Sequence, residues 1–212
     1  MAIPIIAAPL LAIAAAACPR PPPVKVLVMA GIGPLSVETD YRLDQLRALA
    51  RQAHSGGAHP PYGAYVDAAA YAIRVAIGND AQDACRGPLD IEVTLKLADR
   101  HIEVAQELKN DPCQFDKVEA HYRHHADADK AIFERYVGRV AAALSHTQAA
   151  FFVAGVGSGS ATADIARATQ SVIESVLAPM DADRAAARAA VDTPAEVSRL
   201  EKVCADAPPA AP

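Results

Sequence analysis

What the sequence lacks excludes several classes of protein. Its 20 Lys and Arg are outnumbered by 25 Asp and Glu, which gives a formal net charge of −5 at pH 7. This balance offers no basic surface for nucleic acid. Beyond residue 17, no apolar run reaches the roughly 20 residues that a membrane-spanning helix needs, so no transmembrane segment is predicted in the mature chain. Tryptophan is absent, and abundant alanine favours helix.

Cysteine is scarce, with four residues in the chain of 212. None of their spacings resembles that of a metal-ligand pair, which argues against a metal site made of cysteines. In an oxidising compartment the four would tend to pair. Cys85 and Cys113 bracket one structural unit, and we predict a disulfide between them. Pairing of Cys18 with Cys204 is a weaker alternative.

The amino-terminal segment predicts export from the cytoplasm. Residues 3–17 carry no charge, are mostly Ala, Ile and Leu, and end in three alanines. That ending fits the small-x-small pattern of a signal peptidase site, so we assign 1–17 as a signal peptide and expect a periplasmic or secreted protein. Cys18 follows directly and is a candidate for lipid attachment. The alternative is a soluble mature chain that begins near Cys18.

The remaining chain predicts a single α+β domain over 18–204, followed by a disordered Ala-Pro tail over 205–212. Apolar residues indicate strands over 24–29, 68–77 and 89–97, and then a short partner strand or a helical turn over 101–108. Helical patterns cover 41–51, 114–147, 161–177 and 182–190, and a capping box at Thr193 starts a last helix. Strands followed by helices imply an α+β fold. We expect a small antiparallel sheet with long helices in the C-terminal half.

The segment with the clearest chemistry is a histidine cluster in the helix predicted over 114–147. His121 and His125 are four residues apart, so their rings share one face of the helix. Two imidazoles bind one zinc ion with this spacing in H-E-x-x-H enzymes. A helical wheel places both beside the apolar stripe and turns His124 and Asp127 toward solvent. In a simpler interpretation, the two histidines are partly buried and bonded to polar groups such as Asp129.

The unit from Ile91 to Phe133 resembles the core of secreted zincin-like proteins of the H-E-x-x-H type. A strand, a short extended segment over 102–108, Cys113 and the histidine pair follow one another in the same order. The chain also resembles a family of bacterial exported, zincin-like metalloprotease relatives of unknown function. Those proteins end in Asp-Thr-Pro-x-Glu and a final Cys, here 192–196 and Cys204. The resemblance implies a zincin-like core and a zinc ion held by His121, His125 and a third ligand.

Tyr122 departs from the pattern of that family. The resemblance places a glutamate there, the general base that deprotonates zinc-bound water. The unperturbed pKa of tyrosine is about 10, so the side chain does not readily accept this proton at neutral pH. Ordinary peptidase activity is therefore not expected, even with zinc bound. Two functions stay open: a diverged zincin-like metallohydrolase that binds zinc, and a non-catalytic secreted or envelope domain used for structure or binding.

The third ligand is not identified by the sequence. Asp129 follows His121 by eight residues, about 12 Å along a straight helix, which is too far to share one ion with both histidines. No glycine or proline breaks the helix between them. Zincins that take a downstream acid suggest Glu174 or Asp164, on the next long helix. His101 and His146 are further candidates.

Overall fold

The structure is a computed structural model that describes residues 24–52, 62–77, 88–147, 160–202 and residue 204. The predictions of a signal peptide over 1–17, an anchor at Cys18 and a tail over 205–212 concern residues outside this part of the chain. Cys85 lies outside it as well. None of the helices in the described residues combines the length and the apolarity that a bilayer crossing requires.

The described residues are a mixture of strands and long helices, with the strands first. The strands are β1 (Lys25–Ile32), β2 (Ser36–Glu38), β3 (Gly63–Ile77) and β4 (Pro88–Val104). The α-helices are α1 (Leu43–Gln52), α2 (Pro112–Thr147), α3 (Ser160–Leu177), α4 (Met180–Val191) and α5 (Pro194–Lys202), with a 3₁₀ turn at Gln106–Asn110. Each predicted helix is present to within a few residues.

The sheet is mixed, whereas the sequence predicted an antiparallel one. β4 is its central strand. β3 runs antiparallel to β4 along almost its whole length, from Gly63 opposite Val104 to Ile77 opposite Pro88. β1 and β2 run parallel to β4, beside its first and last parts. Alternation of apolar residues shows which face of a strand is buried but not the direction of its neighbour. The two parallel pairings therefore could not be predicted from the sequence pattern.

A bend in β4 explains why the sequence pattern ended too early. Asp99 has a positive φ of 50°, and on the opposite strand the register shifts at Asp67. The buried Arg100 side chain fixes the bend by donating hydrogen bonds to the Gly33 carbonyl at 3.1 Å and the Tyr65 hydroxyl at 3.3 Å. The buried apolar residues therefore change from odd-numbered positions, up to Leu97, to even-numbered positions at Ile102 and Val104. Residues 101–104 are the end of β4 and not a separate partner strand, whereas the end of the predicted segment, residues 106–108, does lie in the 3₁₀ turn at Gln106–Asn110.

Helix α2 packs along both parts of the bent sheet. The first part of β4 forms one core with α2 and α3, in which the buried side chains include Ile91, Val93, Leu95, Leu97, Phe133, Val140, Leu144 and Ile173. The last part of β4 contributes Ile102 and Val104, which pack with Val118 at the start of α2. The histidine cluster lies on α2 between these two cores. Burial on both sides fixes the rotation of the helix and hence the direction of its histidines.

The disulfide joins Cys113, in the first turn of α2, to Cys204, just beyond α5, with their Cα atoms 5.8 Å apart. The predicted pairing of Cys85 with Cys113 is therefore wrong, as is the weaker alternative of Cys18 with Cys204. The prediction relied on proximity along the chain. The pairing depends instead on the return of α4 and α5 along α2, which brings together two cysteines separated by 91 positions.

Candidate metal centre

The two histidines of α2 face each other across one helical turn, as their spacing predicted. Both are buried, with 7% of His121 and 5% of His125 exposed. Their Nε2 atoms are 3.2 Å apart, and their rings meet edge to face with centroids 4.8 Å apart. His124 and Asp127 are exposed, also as predicted. The pair thus presents two nitrogens at one point on the surface of α2.

Asp192 supplies the third group. It is the residue that ends α4, and its Oδ1 lies 3.1 Å from Nε2 of His121 and 3.0 Å from Nε2 of His125. In the following turn, Thr193 Oγ1 accepts a hydrogen bond from the Glu196 amide at 3.2 Å, which is half of the predicted capping box. The sharp turn between α4 and α5 therefore points the Asp192 carboxylate back toward α2.

None of the candidates for the third ligand that the sequence suggested lies at this point. Glu174 accepts a hydrogen bond from the Tyr71 hydroxyl at 2.8 Å, and Asp164 pairs with Arg167. His101 is on β4 beside Glu103. His146 is exposed near the far end of α2. These suggestions followed the order of elements, but α3 lies against the first part of the sheet. Among the described residues, the turn between α4 and α5 supplies the acid that reaches both histidines.

Asp129 does not contact the histidines, in agreement with its distance along α2. It is completely buried and accepts hydrogen bonds from Arg184 and Arg188 of α4. Arg184 also pairs with Asp67 of β3. Burial alone would raise the pKa of Asp129, but the two guanidinium groups outweigh it and lower that pKa. This network fixes α4 against α2 and so determines where Asp192 lies.

The three ligand atoms form a nearly equilateral triangle with sides of 3.0, 3.1 and 3.2 Å. Zinc binds imidazole nitrogen and carboxylate oxygen at about 2.0–2.2 Å. An ion at such distances from all three atoms would lie about 1 Å above their plane, with angles of about 90–100° between ligands. That is a three-coordinate pyramid, narrower than an ideal tetrahedron, with the side opposite the ligands open. These residues fit a metal ion without rearrangement.

Hydrogen bonds alone account poorly for this triangle. A neutral imidazole has one N–H and one lone pair, and an ionised carboxylate only accepts. If one Nε2 carries a proton, the lone pair of the other still faces the Asp192 oxygen at close range. If both carry protons, the two N–H groups crowd together at the separation of 3.2 Å. A cation satisfies all three atoms at once, because each can offer it a lone pair.

The Asp192 carboxylate is ionised at neutral pH. Burial opposes ionisation of Asp192, but the hydrogen bonds and charges of His121 and His125 outweigh it and hold the pKa of Asp192 well below its usual range. Nδ1 of His121 is buried without a hydrogen-bond partner among the described residues and lies 3.6 Å from Glu196 Oε1. Carboxylates commonly take this outer position behind a histidine ligand. Arg199 lowers the pKa of Glu196 to about 2.

Tyr122 forms one wall of the site. Its ring stacks on His125 with centroids 5.4 Å apart and meets His121 edge to face at 5.1 Å. Burial, followed by the nearby charge of Asp192, raises its pKa far above the usual value. Gly63 allows this placement, because a Cβ there would be 2.6 Å from the Tyr122 ring. Tyr122 is therefore placed to orient the histidines and not to accept a proton.

Comparison of the chain with protein-family models, curated proteins and solved structures finds no match. The resemblance to zincin-like exported proteins remains a prediction from the sequence, so function has to be inferred from the site. Asp192 belongs to the Asp-Thr-Pro-x-Glu segment that carried part of that resemblance. This segment could have suggested Asp192 as the third ligand, because an acid directly before the start of a helix can reach a neighbouring helix.

Proposed function

We propose that this protein binds one zinc ion through His121, His125 and Asp192, and that it is a diverged zincin-like protein without ordinary peptidase activity. The observation that carries the proposal is the triangle of ligand atoms with sides of 3.0–3.2 Å. Two imidazoles and one carboxylate, with a fourth position open, form a ligand set found in zinc enzymes. About half of the Asp192 side chain is exposed, so solvent reaches the site.

The surroundings of the site explain why peptide hydrolysis is not proposed. A general base must accept a proton from zinc-bound water near neutral pH. The pKa of Tyr122 is raised, so its neutral hydroxyl is not a base. Glu196, with a pKa of about 2, is a very weak base and is held by Arg199 at 2.8 Å. Neither group has the basicity that water activation requires.

A non-catalytic role for the same ion is favoured by one further observation. His125 and Asp192 are separated by 67 positions, so the ion would join α2 to the turn between α4 and α5. The disulfide joins α2 to the far end of α5. Ion and disulfide together would fasten α5 at both ends, as expected of a structural domain that must survive outside the cytoplasm. The bound zinc would then contribute folding free energy directly.

Equilibrium dialysis against zinc tests the proposal. We expect the untagged parent to bind zinc at the triangle, and Asp192→Asn to lose most of that binding because the amide is a much poorer ligand. Asp164→Asn, a change to an exposed acid on α3, is the matched control and should bind like the parent. Equal binding by the parent and Asp192→Asn would exclude this site.

A further inference from the structure

A second group of possible ligands lies on the sheet, away from the histidine pair. Glu38, His101 and Glu103 each offer one ligand atom, and these atoms all lie within 4.8 Å of one another. Glu38 is on the short strand β2, and the other two are near the end of β4. In the parallel register, Ser36 is opposite His101 and Glu38 is opposite Glu103. All three ligands therefore project from the same face of the sheet.

Glu103 is unusual for an acidic residue, because only 4% of its side chain is exposed. Its Oε2 atom is buried and has no hydrogen-bond partner among the described residues. Leaving a buried carboxylate oxygen without a partner is costly. The adjacent Glu38 adds a like charge directly across the strands, which destabilises a sheet further. A hydrogen bond from the Asp40 backbone offsets only part of these two costs, because burial still raises the pKa of Glu103.

His101 is prepared to act as a ligand. Its Nδ1 lies 2.9 Å from the Asp99 carbonyl, which only accepts, so Nδ1 carries a proton. In the neutral ring the lone pair is then on Nε2. That atom faces Glu103 Oε1 at 3.6 Å, too far for a good hydrogen bond. Fixing one ring nitrogen through a backbone carbonyl is the common way in which proteins orient a histidine ligand.

We infer that Glu38, His101 and Glu103 form a second cation site that binds a divalent first-row transition-metal ion. A ligand set of one imidazole nitrogen and two carboxylates suits such an ion, whereas calcium and magnesium prefer sites made of oxygen ligands alone. The group is more open than the histidine triangle. Glu38 is half-buried, is held by a hydrogen bond from Ser36 Oγ at 2.9 Å and lies on the edge strand, so it is the ligand that would move inward to close the site.

The alternative is that a proton takes the place of the ion. Burial raises the pKa of Glu103 more than a hydrogen bond from the Asp40 backbone lowers it, and the charges of Glu38 and Asp40 raise it further. A protonated Glu103 would relieve the repulsion without a metal. The two states differ in a measurable way, because only one of them retains an ion after dialysis.

The test is the number of zinc ions retained per chain after dialysis, measured by elemental analysis. We expect two for the parent, one for Glu38→Gln, one for Asp192→Asn and none for the double variant. Glu92→Gln, the same change in the first part of β4 beside Arg74, should retain two. His101→Gln is a second variant of the site, and circular dichroism checks that each variant is folded.

The outcomes separate this inference from the proposed function. If Glu38→Gln and His101→Gln both retain as many ions as the parent, the second site does not exist and a proton occupies the cluster. If Asp192→Asn retains as many ions as the parent while Glu38→Gln loses one, the second site stands and the histidine triangle fails. A parent that retains a single ion, lost in Asp192→Asn, also overturns the inference.

Discussion

Tyr122 determines what the histidine site can do. Its ring packs between Gly63 and the two imidazoles. Burial raises the pKa of its hydroxyl and keeps it neutral. The metal ligands themselves do not include it. Zinc affinity and water activation are therefore separable properties of this site, because affinity depends on the ligands and activation on a base beside them.

We predict that Tyr122→Glu keeps zinc binding and gains slow peptide hydrolysis. A general base typically contributes about 10²–10⁴-fold to a rate, and we expect the lower end because the substitution also removes the ring that orients His125. The measurement is cleavage of a fluorogenic peptide with zinc present. Tyr122→Phe is the matched control and should resemble the parent. If Tyr122→Glu binds zinc but cleaves no faster than Tyr122→Phe, a base at position 122 is not what the site lacks.

Residue-level reasoning from sequence found two of the three ligands in the candidate site. The spacing of His121 and His125 is local, and a helix converts it directly into a shared face. Asp192 was missed because its position depends on how α4 packs on α2, through buried contacts of Asp129 with Arg184 and Arg188. No spacing rule covers a contact across 67 positions.

The start of β3 and the start of α2 are packed more closely than any side chain on Gly63 would allow. A Cβ there would lie 2.6 Å from the Tyr122 ring, 2.7 Å from the Glu103 carbonyl and 2.8 Å from a Val118 methyl group. The Glu103 carbonyl oxygen is a backbone atom, so it cannot rotate away as a side chain could. This strand end therefore fixes both Tyr122 and the last part of β4.

We predict that Gly63→Ala lowers the free energy of unfolding by about 1–3 kcal/mol, the usual cost of overpacking. Gly138→Ala is the matched control. It lies within α2, where a Cβ would meet nothing within 4 Å, so it should stabilise the protein by roughly 0.5–1 kcal/mol through helix propensity. Urea unfolding of both variants is the measurement. Equal effects of the two changes would contradict the packing described at Gly63.

The ion pairs between α2 and α4 should make stability depend on pH. The pKa of Asp129 is lowered in the folded protein, so its contribution is complete above the unfolded value of about 3.9 and is lost as pH falls through the lower folded value. We predict that Asp129→Asn destabilises the protein by about 1–3 kcal/mol at neutral pH, because Arg184 and Arg188 lose a buried charged acceptor and keep only Asp67 as a carboxylate shared between them.

Unfolding of the same variant at lower pH provides the internal check. The parent should lose stability below about pH 4, and Asp129→Asn should lose less over that range, since one of the carboxylates with a lowered pKa is gone. Parallel pH profiles for parent and variant would show that Asp129 is not the carboxylate responsible.

The sequence predicted the helices more completely than the sheet. The long amphipathic pattern of α2 specified that helix to within two residues of its start. The strand predicted for β4 ended too early, because the alternation of buried and exposed residues is interrupted at the bend at Asp99. The parallel pairing of β1 and β2 depends on the path of the whole chain through α1 and β3. Local patterns specify which face is buried, and the complete topology specifies the rest.

At the scale of the whole molecule, the disulfide is the longest-range covalent constraint that the described residues show. Closing a loop with a sequence separation of 91 contributes about 4–5 kcal/mol by the chain-entropy estimate. A disulfide is also compatible with the export that residues 1–17 predict from sequence.

We predict that non-reducing peptide mapping recovers a Cys113–Cys204 peptide, and that Cys204→Ser lowers the thermal midpoint. Reduction of the parent should lower the midpoint by a similar amount, whereas reduction of Cys204→Ser should change it little. A peptide linking Cys85 to Cys113 would restore the pairing predicted from sequence and contradict the packing of α5 along α2.

The most direct test of the metal centre is anomalous diffraction at the zinc edge, from crystals of the untagged protein grown with zinc. We predict a peak about 2.0–2.2 Å from Nε2 of His121, Nε2 of His125 and Oδ1 of Asp192, on the side of their plane that faces solvent. The peak should be absent from crystals of Asp192→Asn. Crystals of the folded parent with no anomalous peak at these three atoms would contradict the proposed metal centre.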